Sequence, residues 1–380
     1  MMPTYGSEYQ SLAETIRARS NGSSGYKPWE LAFAIISAVY PASVTDMIVG
    51  RTMSVAIGSS ATNVVRSAFM DMSMLSVAAF PRCSEVGIDG FRNCVNLSYF
   101  RMPRCEVVSD AAFRRCRSLQ SVSLPMCKTI GERAFCECSS LSVAYLPICS
   151  NIGDGAFCSC QSLAYIDMPL CESIPTQAFL SCASISMVSM PLCSFIGSYG
   201  LANCHCISSV AYSCCREAGP FGFASCSSLE VVEMIRCSVV GDNCFAWCQK
   251  LRSVSIPACE TVSASAFLGC ISLPMVSLSN CREIGETAFS GCTGMSYAYI
   301  PKCDSMGDAA FLGCVALESV DLRFVKSVPR IGSMTFVSTP IGGYAGVVGS
   351  YGSVYVPSSL YGMFVCDELW SSISERIVTV

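Results

Sequence analysis

Leu119-x-x-Val122-x-Leu124-Pro125-x-Cys127-x-x-Ile130-Gly131-x-x-Ala134-Phe135-x-x-Cys138 is one unit of a 22-residue period, and Leu141 begins the next. Outward from this stretch, cysteines recur every 22 residues from Cys94 to Cys314 and, in a second column, from Cys83 to Cys303. Each column has eleven members, so 22 of the 28 cysteines obey one period. An unbroken fixed period is the signature of a solenoid, in which each repeat is a coil stacked on the last. The period sets the architecture before any local structure is assigned.

Within the unit, the alternation of Val122 and Leu124 predicts a strand with one buried face. Pro125 ends it, because proline has no N–H for a sheet ladder, and Pro81, Pro103, Pro147, Pro169, Pro191, Pro257 and Pro301 share its column. Gly131 marks a place that needs positive φ or close backbone approach. Ala134 and Phe135 then begin a short helical or 3-10 turn on the outer side. Phenylalanine holds this position from Phe69 to Phe311, interrupted once by Leu201. Stacked rings bury on the order of 150–250 Å² each, so the column is expected to dominate the stability of the outer wall.

The L-x-x-V-x-L-P-x-C segment resembles the leucine-rich repeat, with cysteine where many such repeats carry asparagine. The A-F-x-x-C-x-S-L segment that follows resembles the BspA-like subgroup, over roughly residues 64–323. That resemblance implies an α/β repeat solenoid, a right-handed coil with a parallel β-sheet on one face and short helical or 3-10 turns on the other. It also implies a role in surface adhesion or protein binding. Twelve coils at roughly 4.8 Å each would make a body about 55–60 Å long.

Charged residues are only 14% of the chain and the net charge is −4, with no block of Lys or Arg, so nucleic acid is not an expected partner. The longest early apolar run, Leu31 to Tyr40, is far short of the roughly 20 residues needed to span a bilayer. Neither a signal peptide nor a lipidation motif is legible, so membrane insertion is not expected and the chain reads as made soluble in the cytoplasm. A lone histidine, no paired carboxylates at repeated positions and no glycine-rich phosphate loop give no catalytic constellation, and no cofactor is expected.

Equivalent Cβ atoms of in-register coils lie near 4.8 Å, beyond the roughly 3.8 Å mean of a disulfide. Each column is also odd in number. Both points favour buried free thiols acting as small hydrophobes with weak hydrogen bonds to turn carbonyls; partial disulfides in an oxidising medium are the alternative. Off the columns lie Cys136, Cys158, Cys206, Cys214, Cys244 and Cys366. Cys204, His205, Cys206, Cys214 and Cys215 crowd one irregular coil and are the only candidate metal ligands. Their C-H-C and C-C spacing points neighbouring side chains to opposite faces, unlike a tetrahedral zinc site.

If Val122 and Leu124 face inward, the outward residues of successive strands include Tyr99, Arg101, Tyr145, Tyr165, Asp167, Glu233, Tyr297, Tyr299 and Asp321. Tyrosines among serines and scattered charges suit a concave binding face for a protein or glycan. Strand propensity alone would also place tyrosine there. The competing role is a structural spacer or appendage, in which the repeat only sets length.

At the ends, residues 1–45 read as a helical cap or attachment segment, with helices over Ser11 to Arg19 and Pro28 to Tyr40. Its S-L-A-E-T-I-R-A-R-S-N-G pattern resembles N-terminal modules of phage tail-associated proteins. The solenoid is expected over 46–335 and a C-terminal cap over 336–380. That cap would hold a strand at Val354 to Pro357 and a helix to about Ser374, with Leu360, Met363, Phe364, Leu369 and Trp370 as its apolar contacts.

Overall fold

A computed structural model describes residues 54–343 and 352–380; the expected N-terminal helices lie outside the described residues. Strands of three residues recur every 22 positions from Val55–Ile57 to Ser319–Asp321, which makes thirteen coils. Each pairs in parallel with its equivalent one coil away, for example Val143↔Tyr165↔Met187. We call this ladder sheet one. A second parallel ladder of two-residue strands, sheet two, runs from Asn63–Val64 to Arg330–Ile331. The thirteenth coil exceeds the expected twelve because extra residues after Asp321 shift Phe336 off its column, although its ring still stacks on Phe311 at 5.9 Å.

Both ladders are interrupted, and proline accounts for two of the breaks. Sheet one is unpaired between Ser253–Ser255 and Met275–Ser277. There Pro274 replaces the residue whose N–H elsewhere bonds the carbonyl one coil back, as Arg252 bonds Glu230 at 3.0 Å. Sheet two is unpaired between Asn151–Ile152 and Ser173–Ile174. There Pro175 stands where Gly153 donates to Ile130 at 2.8 Å in the coil before. The glycine column serves close approach rather than unusual φ, since a Cβ on Gly153 would lie 2.5 Å from the backbone nitrogen of Glu132.

The outer wall departs from expectation. It is a series of turns, and the only described helices are the short ones of the C-terminal cap. In twelve successive coils two residues four apart adopt φ between 52° and 72°, such as Ala111 with Arg115 and Thr287 with Gly291. Alternate N–H groups also leave the coil: Asp89, Phe91 and Asn93 donate to Asp110, Ala112 and Arg114 of the next one, at 3.0, 2.7 and 2.7 Å. A helix needs those donors for its own carbonyls. Here every second donor serves the stack, and left-handed residues at about 1–2 kcal/mol each are the cost of aiming them there.

Between the three walls lies one continuous core. In the unit that begins at Leu119, the side chains of Leu119, Val122, Leu124, Cys127, Ile130, Ala134, Phe135 and Cys138 are all buried. Phenylalanine rings of adjacent coils stack face to face, at 5.2 Å and 3° for Phe113 with Phe135. The stack ends on Trp370, tilted 49° against Phe336, whose Nε1–H donates to the Pro329 carbonyl at 2.7 Å.

The cap follows the expected order with a finer division. Strand Ser353–Val356 leads to a 3-10 turn at Ser358–Leu360, an α-helix at Tyr361–Cys366, a kinked 3-10 segment at Trp370–Arg376 and strand Ile377–Thr379. The single long helix is thus broken, and of its expected contacts Phe364 and Trp370 are buried while Met363 and Leu369 are exposed. Strand Ile377–Thr379 pairs in parallel with Ser353–Val356 and extends sheet one.

Candidate functional site

Inward burial of the middle residue fixes the register of sheet one, and its outer surface is as expected: Val122, Ala144, Ile166 and Val188 point in. On some coils the outward residues are small or polar, as with Ser121 and Ser123, Ser209 and Ala211, and Ser253 and Ser255. Three adjacent coils gather several exposed apolar side chains, while Met275 stands 47% exposed on a separate coil. Val143, Tyr165 and Met187 are cross-strand neighbours in one row, and Tyr145, Asp167 and Ser189 in the next. Val143, Tyr145, Tyr165 and Met187 are 44%, 56%, 41% and 56% exposed. No Lys or Arg occurs between Arg133 and Arg216, so this band carries little charge besides carboxylates such as Asp167.

The other expected face residues separate. Arg101 and Glu233 are exposed, and Tyr99, Tyr297 and Tyr299 are half-buried. Asp321 is a correction: it is 1% exposed and does not belong to the open face. Arg323 grips its carboxylate through Nε at 3.0 Å and Nη2 at 2.6 Å, and the Tyr297 hydroxyl donates to Oδ2 at 3.0 Å. Burial acts to raise the Asp321 pKa, but these donors outweigh it and hold the carboxyl below its usual range. The two side chains that hydrogen-bond it lie on the adjacent coil and two residues further on, beyond what alternation within one strand reveals.

The five candidate metal ligands diverge. Cys204 is buried and donates to the Phe179 carbonyl at 3.3 Å, and Cys215 is buried and donates to Glu217 at 3.3 Å. Exposed His205 turns to the next coil, its Nδ1 lying 3.0 Å from the Ser225 carbonyl oxygen. Cys206 is exposed and Cys214 half-exposed. Among the described residues no three His, Cys, Asp or Glu side chains converge to hold a metal ion.

The columnar thiols have a structural task. Every member of the Cys94–Cys314 column donates to the carbonyl of the preceding coil's Phe-column residue, as Cys116 does to Phe91 at 3.2 Å and Cys226 to Leu201 at 3.2 Å. The other column donates two residues ahead, as Cys127 does to Thr129 at 3.3 Å. Only Cys171 deviates, reaching back to Cys149 at 3.1 Å in the coil where Pro175 has opened sheet two. Desolvation by burial pushes Cys94 and Cys138 up to about 12. Off the columns, the neighbouring Cys136 thiol lowers the Cys158 pKa against desolvation, and the Ser159 hydroxyl lies 3.6 Å from Cys158 Sγ.

Among the described residues no helix is long and apolar enough to cross a membrane. Residues 51–164, 150–273 and 238–342 match the family model described as a BspA type leucine rich repeat region of six copies. A leucine-rich repeat protein from Bacteroides ovatus is 20% identical, the match covering 86% of this chain and 92% of that one, with a TM-score of 0.64. One from Eubacterium ventriosum is 16% identical over 76% of this chain and 83% of that one, with a TM-score of 0.47. Curated protein sequences give no match. At these identities the structural likeness is one of fold alone.

Proposed function

This chain belongs to the BspA-type leucine-rich repeat family, and we propose that it is a non-enzymatic recognition module that binds a protein partner through the apolar patch of sheet one. Members of the family are typically binding or surface proteins. The observation that carries the reading is the contiguity of the exposed Val143, Tyr145, Tyr165 and Met187 on three adjacent strands. Solvent-facing apolar groups gathered in one place mark interaction sites, and tyrosine offers large contact area at low entropic cost. Few polar groups lie in the patch, so it suits apolar protein side chains, with a cation of the partner opposite Asp167. A spacer would need no such cluster of exposed apolar groups.

The test uses the full chain immobilised against a cell-surface protein extract, with the retained protein identified and its affinity measured. Tyr145→Ser with Tyr165→Ser is expected to weaken binding by about 30-fold or more, the effect of removing a hot spot. Unchanged affinity would reject this face.

A further inference from the structure

A second concave feature lies far from the patch, near the C-terminal end of the solenoid. It is an open cleft of about 620 Å³ along three successive turns. Tyr299 and Phe324 supply aromatic surface, and Arg282, Lys302 and Lys326 supply positive charge against the single carboxylate of Asp304. This is a local excess of cations on a chain whose net charge is −4.

Two of the cations are already held. Arg282 Nη1 lies 3.1 Å from Asp304 Oδ2, and Lys302 Nζ donates to the Asn280 side-chain oxygen at 2.7 Å. Asn280 is itself fixed, donating to the Pro257 carbonyl at 2.9 Å. Lys326 has no ion-pair partner among the described residues. Beside it Phe324 is 65% exposed, a large ring left in water on a turn.

We propose that this cleft binds a short acidic saccharide. A pyranose presents a C–H face that packs on an aromatic ring by dispersion, and hydroxyls that pair with amide and ammonium donors. A carboxylate on the sugar takes the charge of Lys326, the charge-assisted bond being the stronger kind. The volume lies within the usual range for small-ligand clefts, roughly 300–1,000 Å³. Arg282, Lys302 and Asn280 stay in place through their existing bonds, so little side-chain freedom is lost on binding.

Calorimetry on the full chain tests this with trigalacturonic acid, with the neutral galactose trisaccharide, and with inorganic sulfate. The acidic trisaccharide is expected to bind with a Kd of about 1 mM or tighter. Lys326→Gln and Phe324→Ala are each expected to weaken it by about tenfold, and both residues are exposed enough for the fold to survive their loss. A variant altered at Tyr145 and Tyr165 is expected to bind the saccharide normally, which separates this site from the sheet-one patch. Absent binding, equal binding of the neutral trisaccharide, sulfate bound as tightly as the sugar acid, or indifference to both variants would overturn the proposal.

Discussion

The thiol of Cys138 donates to the carbonyl oxygen of Phe113 at 3.1 Å, one coil back, and the ring of Phe113 stacks on that of Phe135 at 5.2 Å. One repeated contact therefore joins the cysteine column to the phenylalanine column. Cysteine suits the place because it is small and apolar yet keeps one weak donor for a buried carbonyl. Valine would remove this second donor while the carbonyl kept the Cys116 N–H at 3.1 Å, so the loss is limited to about 0.5–1.5 kcal/mol.

In the folded state most thiols are expected to be silent. Of the 28 cysteines, only Cys158, Cys206, Cys214 and Cys366 are not buried. Maleimide titration followed by mass spectrometry is predicted to label these four first, and Cys158 at the lowest pH, because the neighbouring Cys136 thiol favours its thiolate. Reduced protein should yield the full 28 after unfolding. Rapid native labelling of Cys116 or Cys160 would contradict the burial described.

Alkaline pH is expected to unfold the protein steeply. Burial pushes Cys94, Cys127, Cys138, Cys226, Cys270 and Cys281 from the ordinary 9.0 up to about 12. Below pH 9 both states keep these protons and the contribution is fully present. Between 9 and 12 the unfolded chain releases protons that the folded chain retains, so stability falls as pH rises, by about tenfold in the unfolding constant per thiol per pH unit. Circular dichroism against pH tests this; a flat signal to pH 11 would contradict it.

Leu201 and Tyr212 are exchanged in size in a coil at one of the three breaks of sheet one, a smaller residue in the phenylalanine column and a larger one eleven positions on. Tyr212 occupies the position equivalent to Phe80, whose ring lies 5.6 Å from Phe69 and 6.1 Å from Phe91. Its buried hydroxyl donates to the Val188 carbonyl at 3.2 Å, beside the unpaired strands Met187–Ser189 and Ser209–Ala211. Leu201→Phe alone is expected to overpack this coil and cost about 1–3 kcal/mol. Adding Tyr212→Leu should restore most of that loss, read by urea denaturation as a coupling between the two changes.

Trp370 closes the phenylalanine stack at the C-terminal end. Trp370→Ala is predicted to cost about 3–5 kcal/mol. The damage should begin locally, because each coil depends on its neighbours and an uncapped end frays. Hydrogen exchange is expected to accelerate first in Ser353–Val356 and Ile377–Thr379, and uniform acceleration along the chain would argue against a capping role.

The period, the strand register and the burial of both cysteine columns were legible in the sequence because each repeats at a fixed spacing. Tyr145 and Tyr165 stand outward as alternation required. The turn wall was hidden: its left-handed residues include Arg115, Tyr199, Trp247 and Thr287, so the glycine signal for positive φ is mostly missing. Asp321 was misplaced because it is held by Arg323 and by Tyr297 of another coil, and it pairs across strands with Tyr355 of the cap. The C-terminal cleft was invisible for the same reason, since Arg282, Lys302 and Phe324 meet only when coils stack.

The central claim is that recognition occurs on the sheet-one patch, and hydrogen–deuterium exchange with and without the captured partner measures it most directly. Slowed exchange confined to residues 143–145, 165–167 and 187–189, abolished by Tyr145→Ser with Tyr165→Ser, is the predicted result. Protection on sheet two or the turn wall, with those three strands unchanged, would contradict it.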